Sequence, residues 1–310
     1  MKVIIAEKMH ESGIDFLRKN AVEVELLYET KRPLEDALKE ADGVVVRLVK
    51  ITEQLLKIGK KNSLKVVAKH GIGVDNIDVE AAKKLGIRVV YTPDVMANAV
   101  AEFTVGAILM LAKKYSKYDA EVRNEKWEIR YSAINVEIKG KTVGIVGYGR
   151  IGKRVAELSR SFGASVMVYD PYIKAQNDFV KQTELPVLLR NSDFVTLHAP
   201  LTKSTFHMIG RKELGSMKQG AFIINTARGG VIDEKALCEA LEEGRLGGAV
   251  LDTTEQEPVT LSNPILKFDN VVLTAHTAGL TDVSVTEESL LACKQVLQVL
   301  NGEEPSYALA

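Results

Sequence analysis

Residues 141–162 read KTVGIVGYGRIGKRVAELSRSF: an apolar run, three closely spaced glycines and a segment with helical periodicity. Gly147, Gly149 and Gly152 have the G-x-G-x-x-G spacing that marks a dinucleotide-binding turn when it joins a strand to a helix. The first glycine permits the tight turn, the second lets the backbone approach a pyrophosphate, and the third lets the helix pack closely on the strand. The stretch therefore predicts the first strand and helix of a Rossmann fold.

The residues around this motif strengthen the interpretation. The amides of Arg150 and Ile151 open the predicted helix, so the positive end of its dipole would face the phosphates. The next predicted strand, SVMVYD at 165–170, ends in Asp170, where an acid accepts hydrogen bonds from the ribose hydroxyls. A glycine-rich turn without a ligand is the alternative, and Asp170 argues against it. Because this carboxylate would repel a 2′-phosphate, the sequence predicts NAD as the cofactor in preference to NADP.

Strand-and-helix alternation extends outward from the motif in both directions. Apolar runs typical of buried strands occur at 2–6, 22–28, 43–47, 64–69, 87–91, 165–170, 194–198, 221–227, 247–252 and 270–276. Helical segments separate most of these runs, and this alternation is typical of parallel sheets with helices on both faces. We therefore predict an α/β fold of two doubly wound parallel-sheet domains, one flavodoxin-like and one of the Rossmann type, with a cleft between them.

A long apolar segment separates the two series of strands. It reads NAVAEFTVGAILMLAKKY at 98–115 and indicates a single helix that joins the lobes. We therefore expect residues 1–97 plus 283–310 to form the substrate domain and residues 98–282 to form the NAD-binding domain. The last predicted helix, roughly 282–300, lies beyond the final strand and is expected to pack back on the first lobe.

Composition excludes several classes of function. The 310 residues carry 41 basic and 41 acidic side chains with no long run of one sign, so the sequence predicts a small-molecule partner and no nucleic acid. The first ten residues are too polar for a signal peptide, and the apolar stretch at 105–112 is too short to span a bilayer. We expect a cytoplasmic protein without a membrane partner. The spacing of Cys238 and Cys293 suggests neither a disulfide nor a metal site, so no metal is predicted.

Polar residues terminate several strands of the second lobe. They are His198, Arg228, Asp252 and His276. Ligands of open α/β sheets bind beyond the carboxyl ends of the strands, so these side chains are candidates for a site. Reduction of a 2-keto acid needs a cation for the carboxylate, a proton donor for the keto oxygen and an acid that keeps this donor charged. Arginine, histidine and a carboxylate meet these needs.

Longer strings of the sequence resemble the D-isomer-specific 2-hydroxyacid dehydrogenases, and most of all their phosphoglycerate dehydrogenase branch without a C-terminal regulatory domain. The strings are KHGIGVDNID at 69–78, AEFTVGAILML at 101–111, VGIVGYGRIG at 143–152, NTARGGVIDE at 225–234, VLDTTEQEP at 250–258 and NVVLTAHTAG at 270–279. They cover nearly the whole chain. The resemblance implies an NAD-dependent oxidoreductase that acts on the CH-OH group of a D-2-hydroxy acid and forms a homodimer through its NAD-binding domain.

The resemblance also implies roles for individual residues. Arg228 would bind the substrate carboxylate and keto oxygen, His276 would be the acid/base, and Glu257 would accept a hydrogen bond from His276 and favour its protonated form. Asp252 would lie by the nicotinamide carboxamide. Thr226, Ala227 and Gly279 would also contact the cofactor. Gly71, Ile72 and Gly73 would bind the substrate carboxylate. Neither His10 nor His207 has an acidic partner at a useful spacing, and surface or capping roles are expected for both.

The substrate is predicted from one arginine. Arg47 ends the strand GVVVR and matches the arginine that phosphoglycerate dehydrogenases use for the phosphate, so 3-phosphoglycerate, oxidised to 3-phosphohydroxypyruvate in serine biosynthesis, is the favoured substrate. Leu48 stands where the family usually has serine, which keeps glyoxylate or hydroxypyruvate reduction, or another D-2-hydroxy acid, as the alternative. An alternative of another class is a corepressor-like protein that senses NAD without turnover.

Overall fold

The structure of this chain is a computed structural model. It describes residues 1–309. Contacts between Cα atoms divide the chain into two compact units. The first consists of Met1–Met96 together with Leu280–Ala310, and the second is Ala97–Gly279. The α-helices and strands are numbered in chain order, and each unit has one parallel sheet.

The sheet of the first unit has five strands in the order β2-β1-β3-β4-β5. The strands are β1 Lys2–Ile5, β2 Glu23–Leu26, β3 Gly43–Val46, β4 Val66–Lys69 and β5 Arg88–Val90. The helices are α1 Glu11–Lys19, α2 Leu27–Thr30, α3 Leu34–Ala37, α4 Glu53–Lys60, α5 Val79–Lys84 and, from the end of the chain, α12 Asp282–Leu300.

Both faces of this sheet are covered, which explains why its inner strands β1, β3 and β4 are mostly apolar. Successive side chains of a strand point to opposite faces. Val3 and Ile5 of β1 accordingly belong to one apolar cluster and Ile4 to another. The cluster around Val3 and Ile5 includes Cys293 and Val296 of α12. The expectation that the last helix packs on the sheet of the first lobe is therefore confirmed.

Helix α12 also lies against α1. Its first turn is capped by Thr281, whose hydroxyl accepts the amide of Ser284 at 3.1 Å. The amide of Gly13 in α1 donates to the hydroxyl of Ser289 at 3.1 Å, and a Cβ at Gly13 would collide with the backbone of Ser289. Glycine at this position therefore allows the two helices to approach closely.

The sheet of the second unit has seven strands in the order β12-β11-β10-β9-β6-β7-β8. They are β6 Thr142–Val146, β7 Ser165–Tyr169, β8 Val180–Gln182, β9 Phe194–Leu197, β10 Ala221–Asn225, β11 Leu246–Leu251 and β12 Val271–Leu273. The α-helices are α6 Ala97–Lys113, α7 Tyr115–Arg123, α8 Arg150–Ser161, α9 Leu185–Asn191, α10 Arg211–Ser216 and α11 Glu234–Glu242. Short 3₁₀ turns occupy Trp127–Tyr131, Gly229–Val231 and Pro264–Lys267.

Several elements differ from the sequence expectation. The predicted strand at 22–28 ends at Leu26, because the backbone enters the short helix α2 at Leu27. Helix α7 was not predicted from the sequence, and Lys114 at φ 52° separates it from α6. Strand β8 and helices α9 and α10 were not predicted. Their three to seven residues are too few for a clear periodicity.

The apolar run of α6 is explained by burial within the second unit. Ala101 and Ile108 of this helix belong to the same cluster as Val143 and Ile145 of β6. Across residues 1–309, no helix has both the length and the apolar composition that crossing a membrane requires.

Candidate active site

The glycine motif forms a tight turn between β6 and α8. Gly147 has φ 94°, and a Cβ on it would lie 2.7 Å from the carbonyl carbon of His198 at the end of β9. A Cβ on Gly152 would collide with the carbonyl oxygen of Gly147, so the first turn of α8 lies directly on the preceding loop. Both positions therefore require glycine for the reasons that the motif predicts.

Gly149 leaves room for a ligand. It precedes α8, and a Cβ on it would meet no atom within 4 Å in the part of the chain that the structure describes. The amides that open a helix lack partners within the helix and carry its positive dipole. The turn thus combines open space at the backbone with the electrostatics that a pyrophosphate requires, and it fits NAD. Of the adjacent predicted residues, Arg150 is exposed and Ile151 packs against the apolar cluster beneath.

Asp170 follows β7 directly, and its carboxylate binds the protein backbone. One oxygen accepts the amide of Tyr148 at 2.7 Å, and the other accepts the amides of Tyr172 and Ile173 at 2.8 and 2.9 Å. A carboxylate has about four lone-pair sites, so these bonds leave capacity for a ribose hydroxyl. They also fix the carboxylate beside the glycine turn.

The loop after β10 presents Arg228 through an asparagine turn. The side chain of Asn225 accepts the amide of Ala227 at 3.0 Å and donates to the carbonyl of Arg228 at 2.9 Å. A Cβ on Gly229 would collide with the backbone of Thr254, so this loop and the loop after β11 lie in contact. Thr226, predicted at the cofactor, is buried, and its hydroxyl lies 3.2 Å from that of Thr104 on α6.

Glu257 and His276 form the pair that the sequence predicted. Oε2 of Glu257 lies 3.0 Å from Nδ1 of His276, and Oε1 accepts the amide of Thr254 at 3.3 Å. Partial burial acts to raise the pKa of Glu257, but the hydrogen bond from His276, the Thr254 amide and the charge of Arg228 together hold that pKa below its ordinary value. Glu257 is therefore ionised at neutral pH, and Nε2 is the ring nitrogen of His276 that this pair leaves for a substrate.

Asp252 anchors the loop that carries His276. It is 2% exposed, and its carboxylate accepts the Thr274 hydroxyl at 2.6 Å and the amides of Thr277 and Ala278 at 2.8 and 2.9 Å. His276 itself has φ 55°, a left-handed conformation that costs energy for a side chain of this size. The structure thus gives Asp252 a positioning role that the sequence did not reveal. Its predicted contact with the nicotinamide carboxamide stays a prediction, as does the cofactor contact of Gly279, which follows Ala278 directly.

A second histidine, His198, lies at the end of a neighbouring strand. Its Nε2 lies 3.0 Å from the hydroxyl of Thr196, and burial lowers its pKa to about 3. A ring that stays neutral across the physiological range is a poor proton donor. His276, which has an acidic partner, is therefore the better candidate for acid/base chemistry.

The first unit contains the predicted grip on the substrate carboxylate. It is the loop Gly71–Ile72–Gly73 after β4, in which Gly71 has φ 139°. The amide of Gly71 donates to the hydroxyl of Thr92 at 2.9 Å, whereas no hydrogen-bond acceptor within residues 1–309 engages the amides of Ile72 and Gly73. These two amides are the ones that remain available to an anion.

Arg47 follows β3 in the same unit. It is half-buried, and its guanidinium has neither an ion pair nor a hydrogen bond with another described residue. The backbone around it is held by Glu7, whose carboxylate accepts the amides of Arg47, Leu48 and Val49 at 2.6 to 3.0 Å. Glu7 was not identified from the sequence, because it lies 40 residues before Arg47 and belongs to no motif.

The expectation for His207 was wrong. Its Nε2 lies 2.9 Å from a carboxylate oxygen of Glu255, which is 48 residues away and so gave no signal in the sequence. Asp233 is close enough that the three side chains could share a metal ion. The direct contact between His207 and Glu255 accounts for the positions of these two residues, and Asp233 caps α11 by accepting the amide of Ala236 at 3.0 Å. We assign no metal to this cluster.

Comparison with known proteins gives consistent matches. The model for "D-isomer specific 2-hydroxyacid dehydrogenase, NAD binding domain" matches residues 105–278. The D-3-phosphoglycerate dehydrogenase of Methanocaldococcus jannaschii is 40% identical over 309 residues, which cover 98% of this chain but 58% of that relative. The glyoxylate reductase of Thermofilum pendens is 42% identical over 250 residues, 78% of this chain and 74% of that relative.

A solved structure extends the comparison to the whole fold. The D-lactate dehydrogenase of Aquifex aeolicus, complexed with NAD and lactic acid, is 30% identical and has a TM-score of 0.88. The match covers 98% of this chain and 96% of that one. The predicted α/β fold with two parallel sheets and the predicted NAD cofactor are confirmed by these matches.

Proposed function

The chain belongs to the D-isomer-specific 2-hydroxyacid dehydrogenase family, and we propose that it interconverts a small D-2-hydroxy acid and the corresponding 2-keto acid with NAD. The observation that carries the proposal is the 3.0 Å contact between Nδ1 of His276 and the Glu257 carboxylate. This contact orients the ring and stabilises its charged form, as a general acid for keto-acid reduction requires.

The proposed mechanism assigns one task to each group. The glycine turn after β6 would hold the cofactor, which when bound would supply the hydride as NADH or accept it as NAD⁺. In reduction, Nε2 of His276 donates a proton to the keto oxygen; in oxidation, the neutral ring removes the hydroxyl proton. Glu257 remains ionised and holds the ring. Arg228 pairs its planar guanidinium with the substrate carboxylate, a geometry that lysine cannot reproduce.

We propose 3-phosphoglycerate as the substrate, with a role in serine biosynthesis and a cytoplasmic location. The half-buried guanidinium of Arg47 supports this proposal because it lacks an acidic partner among the described residues, as a phosphate-binding arginine would in the absence of its ligand. Reduction of glyoxylate or hydroxypyruvate is the second candidate. The exposed apolar side chain of Leu48 beside Arg47 favours it, because leucine offers no hydrogen bond to a phosphate.

A panel of keto acids separates these functions. NADH oxidation would be followed with phosphohydroxypyruvate, hydroxypyruvate, glyoxylate, pyruvate and 2-oxoglutarate. We expect the highest kcat/KM with phosphohydroxypyruvate. A higher value with an unphosphorylated acid would move the assignment to that acid, and no turnover of any of the five would contradict the dehydrogenase function.

We also propose a homodimer formed through the NAD-binding unit. Large apolar side chains are exposed in the segment after α7: Trp127 is 62% exposed, Tyr131 82% and Ile134 75%. Exposed apolar side chains close together in the sequence favour an interaction site, and we infer that a second copy of the chain buries them. Sedimentation equilibrium should give twice the chain mass, and Tyr131→Glu should shift the protein toward monomer. A monomeric wild-type protein at micromolar concentration would contradict the proposal.

A further inference from the structure

A buried acid of the C-terminal helix has no part in the proposed mechanism. Glu288 of α12 is 1% exposed, and the side chain of His70 beside it is 6% exposed. Carboxylates are almost never buried to this degree without a specific partner. The position of Glu288 therefore calls for a physical reason, and its contacts supply one.

The contacts of Glu288 connect it to the loop Gly71–Ile72–Gly73. Oε1 of Glu288 accepts a hydrogen bond from the hydroxyl of Thr92 at 3.0 Å, and this hydroxyl accepts the amide of Gly71 at 2.9 Å. Oε2 of Glu288 lies 3.3 Å from Nδ1 of His70. Glu288 thus contacts His70, the residue before the loop, directly and Gly71, the first residue of the loop, through Thr92.

This anchoring determines which amides of the loop face a ligand. Thr92 occupies the amide of Gly71, and its own amide donates to the Gly71 carbonyl at 3.1 Å, so Gly71 is held at both polar groups. With Gly71 held, the amides of Ile72 and Gly73 are left for an anion. A shift of Gly71 would displace both.

We propose that Glu288 is a positioning residue for substrate binding, which acts through Thr92 and His70 to hold the loop Gly71–Ile72–Gly73 in the shape that receives the substrate carboxylate. The inference rests on the proposed function, since it concerns the same substrate.

The electrostatics of the cluster agree with this role. Burial raises the pKa of Glu288 to about 7, against the opposing effects of the Thr92 hydrogen bond and the charges of Arg47 and Lys69. Burial, with the charge of Arg47, lowers the pKa of His70 to about 4. The charged or titratable groups that face Glu288 are thus Arg47 after β3 and Lys69 and His70 at the end of β4. An uncharged Glu288 favours an anion at the loop, whereas an ionised Glu288 repels it.

The chain offers a matched control on the same helix. Ser289 is also fully buried, but its hydroxyl donates to the carbonyl of His10 at 2.5 Å and accepts the amide of Gly13, so it serves packing against α1. Ser289→Ala removes buried hydrogen bonds of α12 without touching the loop. This variant therefore shows how the kinetic constants respond when α12 is destabilised and the loop is not affected.

The experiment compares steady-state kinetics of Glu288→Ala, Thr92→Val, Glu288→Gln and Ser289→Ala with the best keto acid of the panel. We expect Glu288→Ala and Thr92→Val to raise the KM for the keto acid roughly tenfold, the effect of losing one buried hydrogen bond, with kcat and the Kd for NADH within about twofold of wild type. Ser289→Ala should leave all three constants unchanged. Hydrogen exchange of the amides at 70–74 should become faster in Thr92→Val and not in Ser289→Ala.

Glu288→Gln keeps an oxygen for Thr92 and an amide group for His70, so it should retain a KM near the wild-type value at pH 6. Because glutamine does not ionise, the KM of this variant should rise less than that of wild type between pH 6 and 8. The inference would be overturned by an unchanged KM in both Glu288→Ala and Thr92→Val, or by a pH profile of Glu288→Gln that matches wild type. In either case, turnover by the wild-type protein would still support the dehydrogenase function. Absence of wild-type turnover on every keto acid overturns both.

Discussion

The carbonyl oxygen of Asp252 accepts the backbone amide of His276 at 2.9 Å, so the end of β11 directly fixes the residue proposed as the acid/base. The carboxylate of Asp252 then accepts the amides of Thr277 and Ala278, which follow His276. These bonds hold His276 at φ 55° and thereby orient its ring toward Glu257.

Replacing Asp252 with asparagine should lower both stability and turnover. The amide nitrogen of asparagine would face backbone N–H groups, and a lost hydrogen bond to a charged group costs about 1.5 to 3 kcal/mol. Urea denaturation should show this loss in the free energy of unfolding, and kcat should fall because His276 is no longer held. Thr274→Val removes one donor and keeps the carboxylate, so its effects should be smaller. Equal effects of the two variants would contradict the anchoring role.

His276→Ala should abolish most of the activity. General acid/base catalysis contributes about 10²- to 10⁴-fold, so kcat for reduction should fall by that range while the Kd for NADH stays near the wild-type value. His198→Gln is the comparison, because this histidine also ends a strand but has no acidic partner within residues 1–309. A larger loss of kcat in His198→Gln than in His276→Ala would mean that the wrong histidine has been assigned.

Glu257→Gln should slow reduction. The neutral amide no longer places a negative charge beside Nδ1 of His276, so proton donation by the ring should become less efficient. The measurement is kcat/KM for the keto acid from pH 5 to 9, with Glu255→Gln as a nearby control that does not contact His276. If kcat/KM of the variant equals that of wild type at every pH, Glu257 takes no part in the proton transfer.

Asp170→Asn should narrow the preference for NAD over NADP. The one carbonyl oxygen of asparagine can accept either the Tyr148 amide or the amides of Tyr172 and Ile173, so the hydrogen bonds of the other side are lost. The substitution also removes the charge that repels the 2′-phosphate. The ratio of kcat/KM for NADH to that for NADPH should therefore decrease. Equal efficiency with both cofactors in the wild-type protein would show that Asp170 does not discriminate.

Arg47→Ala should remove most of any advantage that phosphohydroxypyruvate has over hydroxypyruvate. One charge-assisted contact contributes about 1.5 to 3 kcal/mol, or roughly 10- to 100-fold in the ratio of kcat/KM. Lys50→Ala, which removes a nearby exposed cation, should leave the ratio almost unchanged. A preference that survives Arg47→Ala intact would place the phosphate elsewhere.

Glu288→Gln should gain stability relative to wild type as the pH rises. Folded Glu288 keeps its proton up to about pH 7, whereas the unfolded chain loses it near pH 4.3, so between these values folding takes up a proton. The wild-type free energy of unfolding therefore loses up to about 1.4 kcal/mol per pH unit from this group, and the glutamine variant does not. The difference between the two proteins, measured by urea denaturation, should widen from pH 4.5 to 7 and then level off. A difference that does not vary with pH would contradict the burial argument.

The parts of the fold with clear periodicity could be predicted from the sequence. Apolar runs identified the strands of both sheets except β8, since strands buried within a parallel sheet are rich in apolar residues. The glycine turn was predictable because Gly147 and Gly152 each meet a local requirement that only glycine meets, while Gly149 leaves room for a ligand. Strand β8 gave no such signal: it has three residues, and two of them are exposed.

The candidate site was predictable where its residues occur in motifs and not where distant residues support them. Arg228, Glu257 and His276 stand in strings that carry the family resemblance. Glu7, Thr92 and Glu288 act on loops that are far away in the chain, so their roles depend on tertiary packing that no local pattern reveals. Asp252 was identified, but its contacts with the His276 loop became visible only in three dimensions.

The position of α12 has a consequence for the order in which the protein is made. The first unit is discontinuous: its sheet is complete at Val90, but Cys293 and Val296, which cover one face, leave the ribosome some two hundred residues later. The second unit lies between them and is translated without interruption. Domains fold as units during synthesis, and contacts distant in sequence form slowly, so the nascent first unit must wait with an uncovered apolar face until translation is almost finished. We therefore expect a chain truncated before residue 280 to keep this apolar face of its amino-terminal portion exposed and to be prone to aggregation.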